Sequence, residues 1–389
     1  NCDGELDARG VARIDLATRE REPVVAGHLG VAAGLSSPGA GLAPVSSGDA
    51  IVFGYANATQ PPMAMYAERG SDGEWRMRPA GARLLWAWAP KEVMPLPRQV
   101  EFESKDGLKL TAQIWEPPRP PLRRGGGGGG APAILYSHGG PQRQMYLAYN
   151  HIEHYAQYYA LNAWLAGRGY VVLSVNYRMG IGRGHAFREC AGCGWEGAAE
   201  VQDLFAARDY LVSAAGADPA RIGTYGLSYG GLNVLQALAR NATAFACGVA
   251  SAPVVSWITF ERWLGSPIFS LEPTADAWGS PLAQAGPQWT AAVQRKQLLA
   301  FESSPSSLLC NLTQPLLLIH GDSDGEVDVQ ESVALARAMR KCKRSQLTAR
   351  LFPDEKHGLA LFSNIVRAAN LTAAFMDTHL VARRRDTAG

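Results

Sequence analysis

The stretch "RIGTYGLSYGG", residues 221–231, decides the fold of this chain. Its first half is an apolar run typical of a buried strand, and the following "GGLNVLQALARN" has the periodicity of a helix. Between them, Gly226, Ser228 and Gly230 have the Gly-x-Ser-x-Gly spacing of a nucleophile elbow. So tight a turn leaves no room for side chains beside the serine, and it lifts the serine hydroxyl clear of the sheet. The stretch therefore predicts a strand–turn–helix unit that presents Ser228 as a nucleophile.

The chain on both sides of this stretch alternates apolar strand runs with amphipathic helices. The strand runs are "PAILYSHGG", "YVVLSVNY", "RIGTYGLS", "FACGVASAP", "QPLLLIHGD" and "TARLFPDEKHG". Such alternation is typical of a mostly parallel sheet with helices on both faces. Together with the nucleophile elbow, it predicts an α/β protein with the α/β-hydrolase fold.

Residues 1–97 have a different pattern. "GVARIDLATRE" alternates and then turns, and "MAMYAERGSDGEWRMRP" predicts a hairpin. A Pro-rich segment, "APKEVMPLPRQ", follows and is typical of a domain boundary. We therefore expect an all-β segment over residues 1–97 and a catalytic domain over residues 98–389.

A serine hydroxyl needs a base to remove its proton, and that base needs an acid to orient it. In this fold the acid and the histidine follow the serine along the chain, each after a later strand. His357 follows the last strand run, so it is the candidate base. "HGDSDGEVDV", residues 320–329, follows the preceding strand. It offers four carboxylates, those of Asp322, Asp324, Glu326 and Asp328.

Several motifs of the chain resemble those of prolyl-oligopeptidase-type serine peptidases, a family that includes dipeptidyl peptidases and acylaminoacyl peptidases. "DPARIGTYGLSYGG", "PLLLIHGDSDGEV" and "PDEKHG" are similar to segments of its catalytic domain. "NYRMGIGRGHAF" resembles the family's Asn-x-Arg-Gly-Ser-x-Gly segment, and "LYSHGGP" looks most like the acylaminoacyl branch. The resemblance covers about residues 100 to 380.

The resemblance implies a role for each matching residue. The family's nucleophile falls on Ser228, its base on His357, and its acid on Asp324, four residues after the histidine of His-Gly. The implied oxyanion hole uses the backbone N–H of Tyr229. Its second donor comes from the turn His138-Gly139-Gly140, where some relatives place a tyrosine hydroxyl instead.

The resemblance also implies a primary specificity pocket, formed by the residue after the nucleophile and by an aromatic cluster after "APV". In this chain those residues are Tyr229, Val254, Trp257, Phe260 and Val327. They would make a fairly roomy apolar pocket. Ordinary core packing is the alternative explanation for the aromatic members.

Two departures from the family pattern stand out. Relatives often carry Arg or Asn two residues after the triad acid, where it holds a substrate carbonyl, whereas this chain has Glu326. An anionic side chain there would repel a carboxylate and favour a cationic or N-terminal substrate group. The segment "GWEGAAEVQD" also lacks the Gly-Gly-Lys-Asp of many relatives.

The N-terminal segment is short by the standard of this family, which covers its active site with a seven- or eight-bladed propeller. "GVARIDLATRE" and "DAIVFGYANATQPPMAMYAERG" resemble the last blades of such a propeller. At about 40–45 residues per blade, residues 1–97 provide two blades, which cannot close a propeller. We therefore expect a C-terminal fragment, an incomplete gene model, or a form that has lost its gate.

The expected function is serine-type hydrolysis of short peptides, of the acylaminoacyl- or dipeptidyl-peptidase kind. No cofactor or metal is required by this chemistry. A carboxylesterase or lipase is the first alternative, because the same triad cleaves esters. A truncated, non-catalytic fragment is the second.

The charge balance limits the partners of the chain. Lys and Arg number 37 against 35 Asp and Glu, so the formal charge of +2 does not indicate a nucleic-acid partner. No apolar run reaches the ~18 residues of a membrane span. A cytoplasmic location is favoured, although sequons at Asn57, Asn241, Asn311 and Asn370 keep a secretory route open. The sequence leaves homo-oligomer formation open.

Three weaker patterns contain residue types that bind metals, but a metal site is disfavoured for each of them. The six cysteines are scattered and do not resemble a disulfide scaffold. Cys190 and Cys193 form a Cys-x-x-Cys without a second pair, so a local disulfide or idle thiols are favoured over zinc. His151 and His154 are expected one turn apart on a half-exposed helix face. The loop that begins at Asp322 lacks the Gly and Glu that calcium loops carry at positions 6 and 12.

Overall fold

The structure is a computed structural model. It describes residues 10–25, 31–33, 43–44, 49–80, 94–118, 130–264, 291–342 and 346–381. Within these ranges the strands form one eight-stranded, one five-stranded and one two-stranded sheet. The glycine run of "PPRPPLRRGGGGGG", expected to be a flexible tip, lies mostly outside the described residues.

Two antiparallel sheets come from the residues before the Pro-rich segment. Their strands are β1 (Val11–Ile14), β2 (Arg21–Val25), β3 (Val31–Ala33), β4 (Ala43–Pro44), β5 (Ala50–Ala56), β6 (Met63–Arg69) and β7 (Trp75–Pro79). β1 pairs with β2, and the other five strands form a sheet in which β5 contacts three neighbours. The predicted hairpin is the β6–β7 pair. The prediction of an all-β N-terminal region is therefore confirmed.

The hydrophobic core formed by the described residues of this N-terminal region is small. Its buried members are Val25, Phe53, Tyr55, Met65 and Ala67. Each apolar side chain that is fully buried contributes about 1.5–3 kcal/mol to the free energy of folding. Among the described residues of the region, Val25, Phe53 and Met65 are of this kind, and they offset the conformational entropy of only a short chain segment.

The eight-stranded sheet begins at the Pro-rich segment. Its strands are β8 (Arg98–Glu103), β9 (Lys109–Trp115), β10 (Ala131–Ser137), β11 (Val171–Asn176), β12 (Ala217–Leu227), β13 (Cys247–Ser251), β14 (Leu316–Gly321) and β15 (Leu347–Phe352). Their order across the sheet is β15-β14-β13-β12-β10-β11-β9-β8. The strands from β10 to β15 are parallel, while β9 and β8 continue the sheet with antiparallel pairing.

Helices cover both faces of this sheet. They are α1 (Glu153–Gly167), α2 (His185–Arg188), α3 (Val201–Ser213), α4 (Tyr229–Arg240), α5 (Trp257–Trp263), α6 (Ala291–Glu302), α7 (Val329–Cys342) and α8 (Phe362–Met376). α1 and α8 pack on one face, and α3, α4 and α7 pack on the other. The predicted α/β-hydrolase architecture is confirmed.

The central strand β10 shows why the strands of this sheet have uninterrupted apolar sequences. Ala133 and Leu135 point into the core beneath α3 and α4, whereas Ile134 and Tyr136 point into the core beneath α1 and α8. All four side chains are fully buried. Because both faces are covered, both residue parities must be apolar, as expected for a parallel sheet.

A buried ion pair joins the first hairpin of this sheet to its interior. Arg178, in the turn after β11, donates from Nη2 to Asp203 Oδ1 over 2.7 Å, and from Nη1 to Asp106 Oδ2 over 2.7 Å. The side chain of Asp203, on α3, is fully buried, and it also accepts the hydroxyl proton of Ser104 over 2.7 Å. The arginine of "NYRMGIG" is therefore a structural residue that holds β8, β11 and α3 together.

Four of the six cysteines are paired. The sequence left a local disulfide between Cys190 and Cys193 open as one alternative, but it did not predict the second bond. Cys190 is bonded to Cys193, and Cys310 is bonded to Cys342. The second bond closes a loop with a sequence separation of 32 residues that contains β14, the acidic loop and α7. Cross-linking a loop of this length stabilises a fold by roughly 3–4 kcal/mol in the chain-entropy model.

Two further features concern the helices. The helix predicted to carry both His151 and His154 begins at Glu153, so that prediction was wrong for His151, which lies in the bend before it. The asparagine at 150 accounts for this late start, because its side chain accepts the N–H of Ile152 over 2.9 Å.

Among the described residues, no helix has the length and hydropathy that crossing a bilayer requires.

Candidate active site

Ser228 forms the whole turn between β12 and α4. Its backbone has φ 61° and ψ −122°, a region that non-glycine residues occupy only where their surroundings enforce it. A Cβ atom at Gly226 would lie 2.5 Å from the backbone of Gly230, and one at Gly230 would overlap the carbonyl oxygen of Ser137. The Gly-x-Ser-x-Gly pattern is therefore a packing requirement of the turn, and its consequence is a serine held at the carboxyl edge of the sheet.

Two backbone regions lie next to this serine. Tyr229 is the first residue of α4, where a helix leaves its N–H groups without intrahelical acceptors and carries partial positive charge. Gly139 is buried in the loop after β10, and a Cβ atom there would lie 3.1 Å from Cβ of Ser228. Gly140, which follows it, is exposed.

The imidazole of His138 is engaged elsewhere. It stacks on Tyr177 with ring centroids 4.4 Å apart, and its Nδ1 lies 2.8 Å from the carbonyl oxygen of Gly139. Burial lowers the pKa of His138 to about 4, so the ring is neutral at pH 7. The side chain of His138 thus packs within the core, which leaves the backbone of the 138–140 turn to face Ser228.

His357 and Asp324 contact each other directly. They lie in the loops after β15 and β14, and their side chains are 7% and 0% exposed. Nδ1 of His357 is 2.7 Å from Oδ2 of Asp324, so Nδ1–H donates and Nε2 is left to accept a proton. His357 lines the same pocket as Leu227, the residue before Ser228. The loops therefore bring the imidazole to the sheet edge that carries the serine.

Every acceptor position of the Asp324 carboxylate is engaged. Besides His357, Oδ2 faces Nε2 of His320 at 3.1 Å, and Oδ1 accepts the N–H groups of Glu326 at 2.8 Å and Val327 at 3.0 Å. Burial alone would raise the pKa of Asp324, but the hydrogen bonds from His320 and His357 hold it well below its usual value. Asp324 is therefore a fixed anion beside the imidazole at every physiological pH.

The other carboxylates of the acidic loop have different positions. Asp322 accepts an N–H group of the loop before His357 over 2.7 Å, and Asp328 accepts an N–H group at the start of α7 over 2.9 Å. Glu326 is 71% exposed, and its Oε2 lies 3.7 Å from Nε2 of His357. The structure thus brings Asp324 and Glu326 to opposite sides of the imidazole, and it gives Asp322 and Asp328 local structural contacts.

The residues predicted to form a specificity pocket lie together. Tyr229 and Trp257 have ring centroids 5.7 Å apart, and Trp257 and Phe260 are 6.0 Å apart. Val254 and Val327 are buried in the same cluster. This cluster is continuous with the core beneath α4, so its members have a packing role as well.

A buried carboxylate that contacts this cluster, that of Glu200, was not predicted from the sequence. Glu200 is fully buried and accepts the hydroxyl proton of Tyr229 over 2.6 Å and the N–H of Gly194 over 3.0 Å. Burial raises the pKa of Glu200, and the two hydrogen bonds oppose that shift. The sequence shows only an acid among small apolar residues in "EGAAEV", and nothing there identifies a partner 29 residues away.

A pocket lies behind the imidazole, between α1 and α8. His357, Tyr158, Leu161, Ile319 and Ala368 are among its lining residues. Neither Ser228 nor the aromatic cluster contributes to its wall. This pocket is therefore distinct from the predicted specificity pocket.

Comparison with known proteins identifies the family of the chain. The sequence profile of the prolyl oligopeptidase family matches residues 156–383. The dipeptidyl aminopeptidase BIII of Pseudoxanthomonas mexicana is 31% identical over 249 residues, which cover 63% of this chain and 33% of that protein. The chain thus spans about a third of the length of the curated relatives it matches.

Solved structures give the same fold. A puromycin-hydrolyzing peptidase of Mycobacterium tuberculosis has a TM-score of 0.70 at 21% identity, with 97% of this chain and 51% of that chain covered. The acylaminoacyl peptidase of Pyrococcus horikoshii has a TM-score of 0.69 at 21% identity, with 96% and 53% covered. On the family profile, which matches more than half of its residues, the chain belongs to the prolyl oligopeptidase family.

Proposed function

We propose that this chain is a serine-type peptidase that hydrolyses short peptides through an acyl-enzyme formed on Ser228. The observation that carries the proposal is the 2.7 Å hydrogen bond between His357 and Asp324 at the sheet edge that carries the elbow serine. A hydroxyl becomes a useful nucleophile only beside a base of this kind, itself oriented by an acid.

The reaction follows from these positions. Ser228 Oγ attacks the substrate carbonyl while Nε2 of His357 takes its proton, and Asp324 stabilises the resulting imidazolium through Nδ1–H. The N–H of Tyr229 and a donor from the 138–140 turn stabilise the oxyanion. His357 then returns the proton to the leaving amine, and water hydrolyses the acyl-enzyme by the same route.

Family membership supports a peptide substrate. The relatives that match include a dipeptidyl aminopeptidase and an acylamino-acid-releasing enzyme. We further propose that residues 1–97 are a partial β-propeller and residues 98–389 the catalytic domain. The position of the Pro-rich segment between the antiparallel sheets and β8 supports this division.

A comparison of leaving groups tests the proposal. The purified chain and its Ser228→Ala variant are assayed with dipeptide anilides, N-acetyl-amino-acid anilides and short-chain esters. We expect anilide turnover by the native chain and none above background by the variant. Turnover of esters without anilides would favour an esterase and contradict the proposal.

A further inference from the structure

Two carboxylates of one loop flank the imidazole of His357. Asp324 contacts Nδ1 at 2.7 Å, and Glu326 lies 3.7 Å from Nε2. Asp324 is buried with four hydrogen bonds, whereas the side chain of Glu326 is 71% exposed. The first carboxylate is thus a fixed part of the fold, and the second is open to solvent beside Nε2.

The position of Glu326 conflicts with the proposed chemistry in the absence of substrate. Nε2 of His357 must face the hydroxyl of Ser228, but the Glu326 carboxylate lies 3.7 Å from the same nitrogen and competes with Ser228 for contact with it. The same anion repels the oxygen of any substrate carbonyl placed against it. Both difficulties disappear when a cation of the substrate becomes the partner of Glu326.

The neighbouring charges leave Glu326 available for such a cation. His154 lies close to His357, but burial lowers the pKa of His154 to about 4, so it carries no charge near pH 7. Arg143 is the nearby cation, and its Nη1 donates to the carbonyl oxygen of Gln142 over 2.9 Å. Within the part of the chain that the structure describes, no ion pair joins Arg143 to Glu326.

The reach of Glu326 identifies which cation fits. In the proposed reaction Nε2 lies about 3 Å from Ser228 Oγ, so the Glu326 carboxylate is at most about 7 Å from that oxygen and at most about 8 Å from the carbonyl carbon bonded to it. The α-nitrogen of the residue that forms the acyl-enzyme is about 2.5 Å from its carbonyl carbon, and that of the preceding residue is about 4 Å farther. An extended two-residue acyl group therefore spans most of this distance, so its α-ammonium can approach Glu326 and form an ion pair.

We infer that Glu326 binds the free α-ammonium group of the substrate, and so makes this site specific for peptides with an unblocked N-terminus. This inference rests on the proposed function. The ammonium pairs with Glu326, Nε2 of His357 is released toward Ser228, and catalysis begins. An N-acylated peptide offers a carbonyl instead of a cation and leaves Glu326 against the imidazole.

Matched substrates and variants test this inference. Alanyl-alanyl p-nitroanilide and its N-acetyl form are compared with the native chain, Glu326→Gln and Glu326→Arg. We expect the native chain to favour the free amine by about tenfold in kcat/KM, which is typical of a charge-assisted contact. Glu326→Gln should reduce that preference to about twofold or less through a higher KM, and Glu326→Arg should reverse it.

A control separates this effect from a general change of surface charge. Glu101→Gln removes an exposed carboxylate on β8, at the opposite edge of the sheet, and should keep the native preference. A native chain that prefers the acetylated substrate, or a Glu326→Gln variant with the native preference, would overturn the inference. A native chain that a fluorophosphonate labels, but that hydrolyses the free and the acetylated anilide equally well, would overturn the inference and leave the proposed function intact. A native chain that the fluorophosphonate does not label would overturn both the inference and the proposed function.

Discussion

The carboxyl edge of the eight-stranded sheet and the N-terminal antiparallel sheets use polar residues in different ways. At the sheet edge, Asp324 is buried with four hydrogen bonds, and Arg178 is paired with the fully buried Asp203. In the N-terminal sheets, Arg69 pairs with Glu22 over 3.1 Å, but their side chains are 37% and 33% exposed. Asp324 and the Arg178–Asp203 pair are withdrawn from water, whereas the Arg69–Glu22 pair remains in contact with it.

This difference indicates how each region tolerates change. A buried charge that loses its partner is left unsolvated, so the cost of a substitution there is large. An exposed pair that is broken exchanges its partner for water, so the cost is small. Substitution of one charged residue should therefore cost much stability or activity at the edge of the large sheet, and little in the N-terminal sheets.

The largest effect is expected at Asp324. Asp324→Asn keeps the shape of the side chain, but its amide cannot accept from both histidines and fix the imidazole as Asp324 does. We expect kcat to fall about 10⁴-fold, as for triads whose acid is replaced by an amide. Steady-state hydrolysis of a dipeptide anilide measures the loss.

Two neighbouring acids of the same loop provide the controls. Asp322→Asn and Asp328→Asn change carboxylates that accept local backbone N–H groups, so each should retain kcat within about tenfold of the native value. Comparable losses in all three variants would break the distinction between the triad acid and its neighbours.

A smaller effect, on stability, compares the two regions directly. Arg178→Ala leaves the Asp203 carboxylate buried without its cation, and we expect the free energy of unfolding to fall by about 3–5 kcal/mol. Arg69→Ala breaks a half-exposed pair and should cost less than about 1 kcal/mol. Urea unfolding of both variants measures these changes, and equal losses would show that burial is not what separates the regions.

The smallest effect concerns pH. The folded-state pKa of Asp324 lies below its ordinary value of 3.8, so the unfolded chain binds this proton first as the pH falls. The stability that the anion contributes is thus complete above about pH 5 and declines as the pH passes through 4 toward the lower folded value. Unfolding midpoints of the native chain and Asp324→Asn should converge between pH 5 and pH 3. Midpoints that diverge over this range would contradict the depressed pKa.

Much of the fold could be predicted from the sequence because buried parallel strands have continuous apolar runs. β10 and β12 were evident from "PAILYSH" and "RIGTYGL", and the glycines of the elbow leave few alternatives for the turn between β12 and α4. The disulfide between Cys310 and Cys342 could not be predicted in this way. Its two residues are separated by a strand, a loop and a helix, and only the packed fold brings them together.

The candidate site was predictable to a different degree. Ser228 and His357 were indicated by motif and by chain order, whereas Asp324 was distinguished from three nearby acids only by resemblance to a family. The structure supplies a physical reason for that choice, since Asp324 is the carboxylate of the loop that contacts Nδ1. The sequence did not identify His320 as a partner of Asp324 or Glu200 as a partner of Tyr229, because both contacts depend on tertiary packing.

The central claim is that Ser228 is a nucleophile activated by His357. A fluorophosphonate probe, followed by mass spectrometry of the labelled peptide, measures this claim most directly. We predict one label per chain on Ser228, none on Ser228→Ala, and labelling of His357→Ala that is at least about 100-fold slower. A label on another residue, or an equal rate in His357→Ala, would contradict the account.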